Sequence, residues 1–175
     1  MKTEKTLPES MLDLVAIFDT LMPNERASIA AKLKQISYEK GDTVVEPETV
    51  LQSLFIVGNG VLSVTKRGKS GETELLRFGP GDVFGEIGLL TGAPCGASVN
   101  ALAPSTVYEL TKRDLAPVLE ARPQIAQELS RALAQQQNAG RALAAVERDE
   151  TEEKGKLSTW FSERIHDLFD LRRAH

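Results

Sequence analysis

Hydrophobic positions follow one period at the two ends of this chain and another in its middle. In the opening stretch LPESMLDLVAIFDTL, Leu12, Val15 and Ile17/Phe18 make an approximate helical stripe, with Pro8 suited to a first turn. A second helix is predicted in MPNERASIAAKLKQI, opened by Pro23, with Ile29, Leu33 and Ile36 on one side. At YEKGDTVV the period switches from about four to two, punctuated by Gly41 and Asp42. From there the apolar runs are short: Val44–Val45, Leu54–Val57, Val61–Val64, Leu75–Phe78, Ala97–Ala101 and Val107–Leu110. GNG, RGKSGE, GPGD and LAPS separate them. Such short, closely spaced strands predict a sandwich or barrel, because a parallel sheet needs crossovers of a dozen residues or more.

Helical spacing returns after Leu110. Thr111 and Asp114 make a capping box, and Pro123 ends that helix and can begin another. The next segment is rich in Ala, Glu, Gln and Arg and is predicted to run to about Glu153, with Ile125, Leu129 and Leu133 four apart. Five acids between Glu147 and Glu153 face only Arg148, a pattern typical of a solvated face. Past Gly155, the residues Leu157, Trp160, Phe161, Ile165, Leu168 and Phe169 fall on one side of a final amphipathic helix.

The predicted fold class is therefore α+β: an antiparallel β-roll or jelly-roll barrel flanked by helices. The expected divisions are an N-terminal helical segment at 1–35, the roll at 36–110, C-terminal helices at 111–153 and an amphipathic tail helix at 154–175.

Composition adds exclusions. A net charge of −4 over 175 residues argues against a dominant nucleic-acid surface, which needs a basic face. The single cysteine excludes an internal disulfide and fits a reducing compartment. No apolar run approaches the ~18 residues of a membrane span, and MKTEKTLPES lacks the apolar core of a signal peptide. The chain reads as a soluble cytoplasmic piece. No Ser/His/Asp arrangement, metal-ligand cluster or nucleotide-hydrolysing motif appears, so neither a catalytic residue nor a metal site is assigned. GKSGE at 68–72 lacks the spacing of a phosphate loop and reads as a turn.

The candidate chemistry lies in FGEIGLLTGAPCGASVNA, from Phe84 to Ala101. Gly85 lets backbone approach a ligand closely, the amides opening the turn at Ile87 to Leu90 favour an anion, and Glu86 suits a ribose hydroxyl. Asp82 in GPGD reads instead as a turn residue bonding to its own backbone.

The element order, with GDTVV, LQSLFIVGNGVLSV and RFGPGDVFGEIGLLTGAPCGASVNAL, resembles the cyclic nucleotide-binding domain family over about residues 12–136. The last segment matches that family's phosphate-binding cassette over nearly its whole length. The resemblance implies a regulatory domain with cAMP or cGMP as ligand and no further cofactor. The ligand-binding residues it implies are Phe84, Gly85, Glu86, Ile87, Gly88, Leu89, Cys95, Gly96, Ala97 and Ser98, with Ile125, Leu129 and Leu133 as candidates for a moving lid.

One position departs from the family. Its members usually follow the cassette proline with an arginine that pairs the cyclic phosphate; here Cys95 stands there, followed by Gly96. Loss of a charge-assisted pair worth roughly 1.5–3 kcal/mol, or somewhat more if bidentate, lowers affinity about 10- to 1000-fold. Weak or lost cyclic nucleotide binding is the expectation. Three readings of Cys95 stay open: a fold kept without its ligand, a pocket with altered preference, and a redox or metal role.

A domain of this kind regulates something else. Its transcription-factor relatives continue into a helix-turn-helix, which this tail does not present, and kinase regulatory subunits carry two such domains in tandem. The segment LEARPQIAQELSRALAQQQNAGRALAA followed by WFSERIHDLFDL resembles the C-terminal end of bacterial small-conductance mechanosensitive channels that carry this domain. That resemblance implies a cytoplasmic regulatory part tethered to the inner membrane. For the aromatic tail, self-association or docking on the roll is preferred to membrane contact, since residues 154–175 sum to only +2. The alternative to a sensor is an interaction or oligomerisation module that keeps only the fold.

Overall fold

A computed structural model of the chain describes residues 9–15, 18–127, 130, 131, 134 and 163. A 3₁₀ helix, Glu9–Leu14, precedes helix α1, Pro23–Ala30. Eight strands follow: β1 Lys34–Tyr38, β2 Thr43–Val45, β3 Ser53–Asn59, β4 Leu62–Gly68, β5 Gly71–Phe78, β6 Val83–Phe84, β7 Ser98–Ala101 and β8 Ser105–Thr111. Between β6 and β7 lies the short helix α2, Glu86–Thr91, and after β8 comes α3, Lys112–Ala121.

The strands form two four-stranded antiparallel sheets, ordered β1-β8-β3-β6 and β2-β7-β4-β5. This is the antiparallel roll that the alternating runs predict. Within the first sheet β3 is buried on both faces, which is why it reads as the near-continuous run Leu54–Val57. Period two divides that run: Leu54 and Ile56 join Tyr108 and Leu110 in a core under the helices, while Val57 joins Val107, Phe84, Val64 and Val99 between the sheets.

Two predicted elements differ. Leu12, Val15, Phe18 and Leu21 are all buried, three apart, and the N–H groups of Val15, Phe18 and Leu21 donate to the carbonyls three residues back. That spacing suits a succession of 3₁₀ turns better than an α-helix. The second helix stops at Ala30, so Ile36 lies in β1 opposite Val107 instead of continuing a helical stripe. A neighbouring strand distant in sequence, β8, overrides the local period there.

α3 begins with the predicted capping box: Asp114 N–H donates to Thr111 Oγ1 and Thr111 N–H to Asp114 Oδ2. It ends at Arg122, before Pro123, and residues 124–127 are helical again. Among the described residues no helix is long and apolar enough to cross a membrane. The tail 154–175, apart from Glu163, and the lid candidates Leu129 and Leu133 lie outside the described residues.

Candidate functional site

Local chemistry fixes how the cassette leaves β6. Gly85 has φ +92°, a region that side chains rarely adopt, and a Cβ there would meet the Ser53 carbonyl oxygen at 2.5 Å and the Phe55 ring at 2.9 Å. A Cβ on Gly88 would meet the Leu51 carbonyl oxygen at 2.4 Å. These two glycines let α2 lie directly against the chain at Leu51–Ser53. The sequence reading reserved Gly85 for close approach of a ligand, whereas the structure fills that space with the protein's own backbone.

The loop after α2 is tied to a second loop. Cys95 N–H donates to the Thr49 carbonyl at 2.8 Å, and Glu48 N–H donates to the Cys95 carbonyl at 2.8 Å. Glu48 takes φ 64°, the one positive φ at a non-glycine residue among those described. The Cys95 thiol donates to the Ala97 carbonyl at 3.2 Å. Both backbone groups of Cys95 and its thiol are thus engaged within the protein.

α2, these two loops and the inner faces of β4 and β7 line a half-open cavity of about 160 Å³. Phe84, Gly85, Glu86, Ile87, Gly88 and Cys95 line it together with Thr49, Leu51, Val64, Phe78, Ala93, Pro94 and Val99. Glu86 is 3% exposed, so a carboxylate is buried in the wall. No lysine, arginine or histidine is among the described lining residues. Arg77 donates from Nε to Glu74 at 2.9 Å, three residues back on β5, and, like Arg67 and Arg131, is not in the wall. Phe78, Phe84 and Phe55 stack in a ladder, with centroid separations of 5.3 and 5.2 Å and interplanar angles of 13° and 14°.

Four of the sequence-predicted residues stand apart from the cavity. Leu89 turns into the core under the helices, and Ala97 is buried between the sheets. Gly96 is exposed, and Ser98 sits in the β4–β7 ladder opposite Thr65. Ile125, the one lid candidate among the described residues, is 2% exposed within the helix-side core and is not among the residues lining the cavity. The residues that sequence reasoning missed have a legible signal in part. Val64 and Val99 are the inward positions of their strands, and Ala93 and Pro94 lie inside the quoted stretch. Thr49 and Leu51 come from a loop with no periodicity, and only the fold brings them in.

The cavity's neighbourhood also matches known proteins. The family described as "Cyclic nucleotide-binding domain" matches residues 35–122. A probable transcriptional regulator flp of Lacticaseibacillus casei is 32% identical over 70% of this chain and 56% of its own. A cAMP-dependent protein kinase regulatory subunit of Hypocrea atroviridis is 33% identical over 59% of this chain and 22% of its own. The co-crystal structure of the regulatory domain of Toxoplasma gondii PKA with cAMP superposes at a TM-score of 0.58 and 26% identity. That superposition covers 65% of this chain and 44% of the other. The chain therefore spans little more than half of the first relative and about a fifth of the second.

Proposed function

The chain belongs to the cyclic nucleotide-binding domain family, and we propose that it is a regulatory domain whose pocket holds cyclic nucleotide weakly or not at all. The observation that carries this reading is the wall itself: a buried acid, Glu86, without a basic side chain among the described lining residues, and Cys95 where the family carries its arginine. The relatives named above are a transcriptional regulator and kinase regulatory subunits, proteins in which such a domain controls another activity rather than performing catalysis.

What it controls is a separate matter. The resemblance to channel tails rests on residues 119–171, most of which lie outside the described residues, and the relatives above favour a transcriptional or kinase effector over a channel. Inner-membrane tethering and self-association rest on the same tail.

Calorimetry with cAMP and cGMP on the 175-residue chain and on Cys95→Arg tests the pocket. The natural chain is expected to bind weakly or undetectably, and arginine to add about 10- to 1000-fold in affinity, the worth of a charge-assisted pair. Submicromolar binding by the natural chain, with no gain from arginine, rejects this account of the phosphate end.

A further inference from the structure

Resting on the reading that cyclic nucleotide is held weakly or not at all, we infer that the cavity beside α2 takes a neutral, apolar molecule about one aromatic ring in size.

The polar groups of the wall already have partners. Cys95 N–H donates to the Thr49 carbonyl, the Cys95 carbonyl accepts from Glu48 N–H, and the Cys95 thiol donates to Ala97. The carbonyls of Gly85 and Gly88 accept from the N–H groups of Leu89 and Gly92. Glu86 is the one charged side chain among the described lining residues; it is 3% exposed and has an interaction within the protein. What the wall offers a ligand is mostly carbon, from Leu51, Val64, Phe78, Ile87, Pro94 and Val99. A polar or charged group entering such a site gives up water without an equal return, whereas an apolar group gains by leaving it.

The cavity is also built for a ring. Phe84 stacks nearly parallel with both Phe55 and Phe78, and Phe78 and Phe84 both line the space, so aromatic surface is available to a planar guest. Its volume of about 160 Å³ is close to the roughly 150 Å³ of an apolar cavity that takes up benzene, and is below the ~300 Å³ at which pockets for larger ligands begin. Phe78 is half-exposed and Ile87 is 37% exposed, so the wall keeps apolar surface in water that a guest can cover.

The test is a methyl NMR titration of the 175-residue chain with toluene and indole as neutral probes, and with cAMP and cGMP in the same buffer. At least one neutral probe is expected to give saturable shifts at the methyls of Leu51, Val64 and Val99. Cys95→Phe, which adds a ring at the cavity's edge, is expected to weaken that binding tenfold or more. Absence of saturable shifts, shifts confined to other methyls, or equal binding by a folded Cys95→Phe overturns the inference. Where Cys95→Phe fails to fold by circular dichroism, Ala93→Phe takes its place, and the shift map of the natural chain still decides. Failure of the neutral probes alongside weak cAMP and cGMP binding rejects this inference alone. Submicromolar binding of either cyclic nucleotide rejects the underlying reading of the pocket and this inference with it.

Discussion

Cys95 holds its loop through backbone bonds that do not depend on its side chain, to Thr49 and from Glu48. Replacement by arginine gives up only the thiol contact to Ala97, and position 95 is half-buried at the edge of the cavity. Cys95→Arg is therefore expected to keep its melting temperature within a few degrees, the range of a ~1 kcal/mol change. Gly85 is the opposite case. Alanine there adds a Cβ 2.5 Å from the Ser53 carbonyl oxygen at φ +92°, so Gly85→Ala is expected to lose about 1–3 kcal/mol in urea unfolding. Unchanged stability would mean that α2 does not rest on Ser53. On the outer face of β4 and β5, the Ser63 hydroxyl and then Arg77 hold Glu74 below its ordinary value of 4.5. A lowered carboxyl favours the folded state above that value, and the contribution is lost as pH falls through the folded pKa. Ser63→Ala should raise the Glu74 midpoint in a side-chain carboxyl NMR titration.

At the scale of elements, α3 is where the roll hands over to the helices, and its start is specified locally. Thr111 accepts from Asp114 N–H while Asp114 accepts from Thr111 N–H, and the chain reverses direction out of β8 at that point. Thr111→Ala is expected to cost about 1 kcal/mol, read in thermal unfolding. The pair β1–β8 carries both of the chain's tyrosines, Tyr38 and Tyr108. Burial raises both above the ordinary 10.0, and at Tyr38 the nearby Glu109 and Asp42 raise it further. A raised acid loses its proton first in the unfolded chain, so stability is intact below the ordinary value and falls as pH climbs through the folded one. Alkaline absorbance titration should find both phenols ionising later in the folded protein than in urea.

In the molecule as a whole, one ion pair ties the N-terminal helical layer to the hinge after α3. Arg122 Nη1 donates to Glu25 Oε2 at 2.7 Å across 97 residues, and the same carboxylate oxygen accepts from Met22 N–H at 2.8 Å. Glu25 is 8% exposed, so truncating its partner leaves an acid buried beside an apolar core. Arg122→Ala is expected to cost about 1–3 kcal/mol, less than a fully buried pair because the arginine is one-third exposed. The double variant with Glu25→Gln should recover part of that loss, because it removes the unpaired charge. Additive losses would mean that the tie has no energetic weight.

Sequence alone fixed most of the roll because its information is local. Alternating runs, Gly/Pro turns and the Thr111–Asp114 cap each act over a few residues, and six of the eight strands follow from them. The cassette stretch was equally legible, since a motif places Phe84 to Gly88 and Cys95 together without knowledge of the fold. Other features depended on distant partners. β1 is a strand because β8 lies beside it, and the two-residue β6 exists only through its pairing with β3. Thr49 reaches the wall because Cys95 hydrogen-bonds to it, and Gly85 is required by Ser53. Ile125 packs into the helix-side core with residues far from it in sequence, among them Leu12 and Leu54. Side-chain type and spacing set which elements form and which chemistry the chain carries. Which groups face one another, and so whether a charge is met or left alone, is decided only when strands far apart in sequence close around the same space.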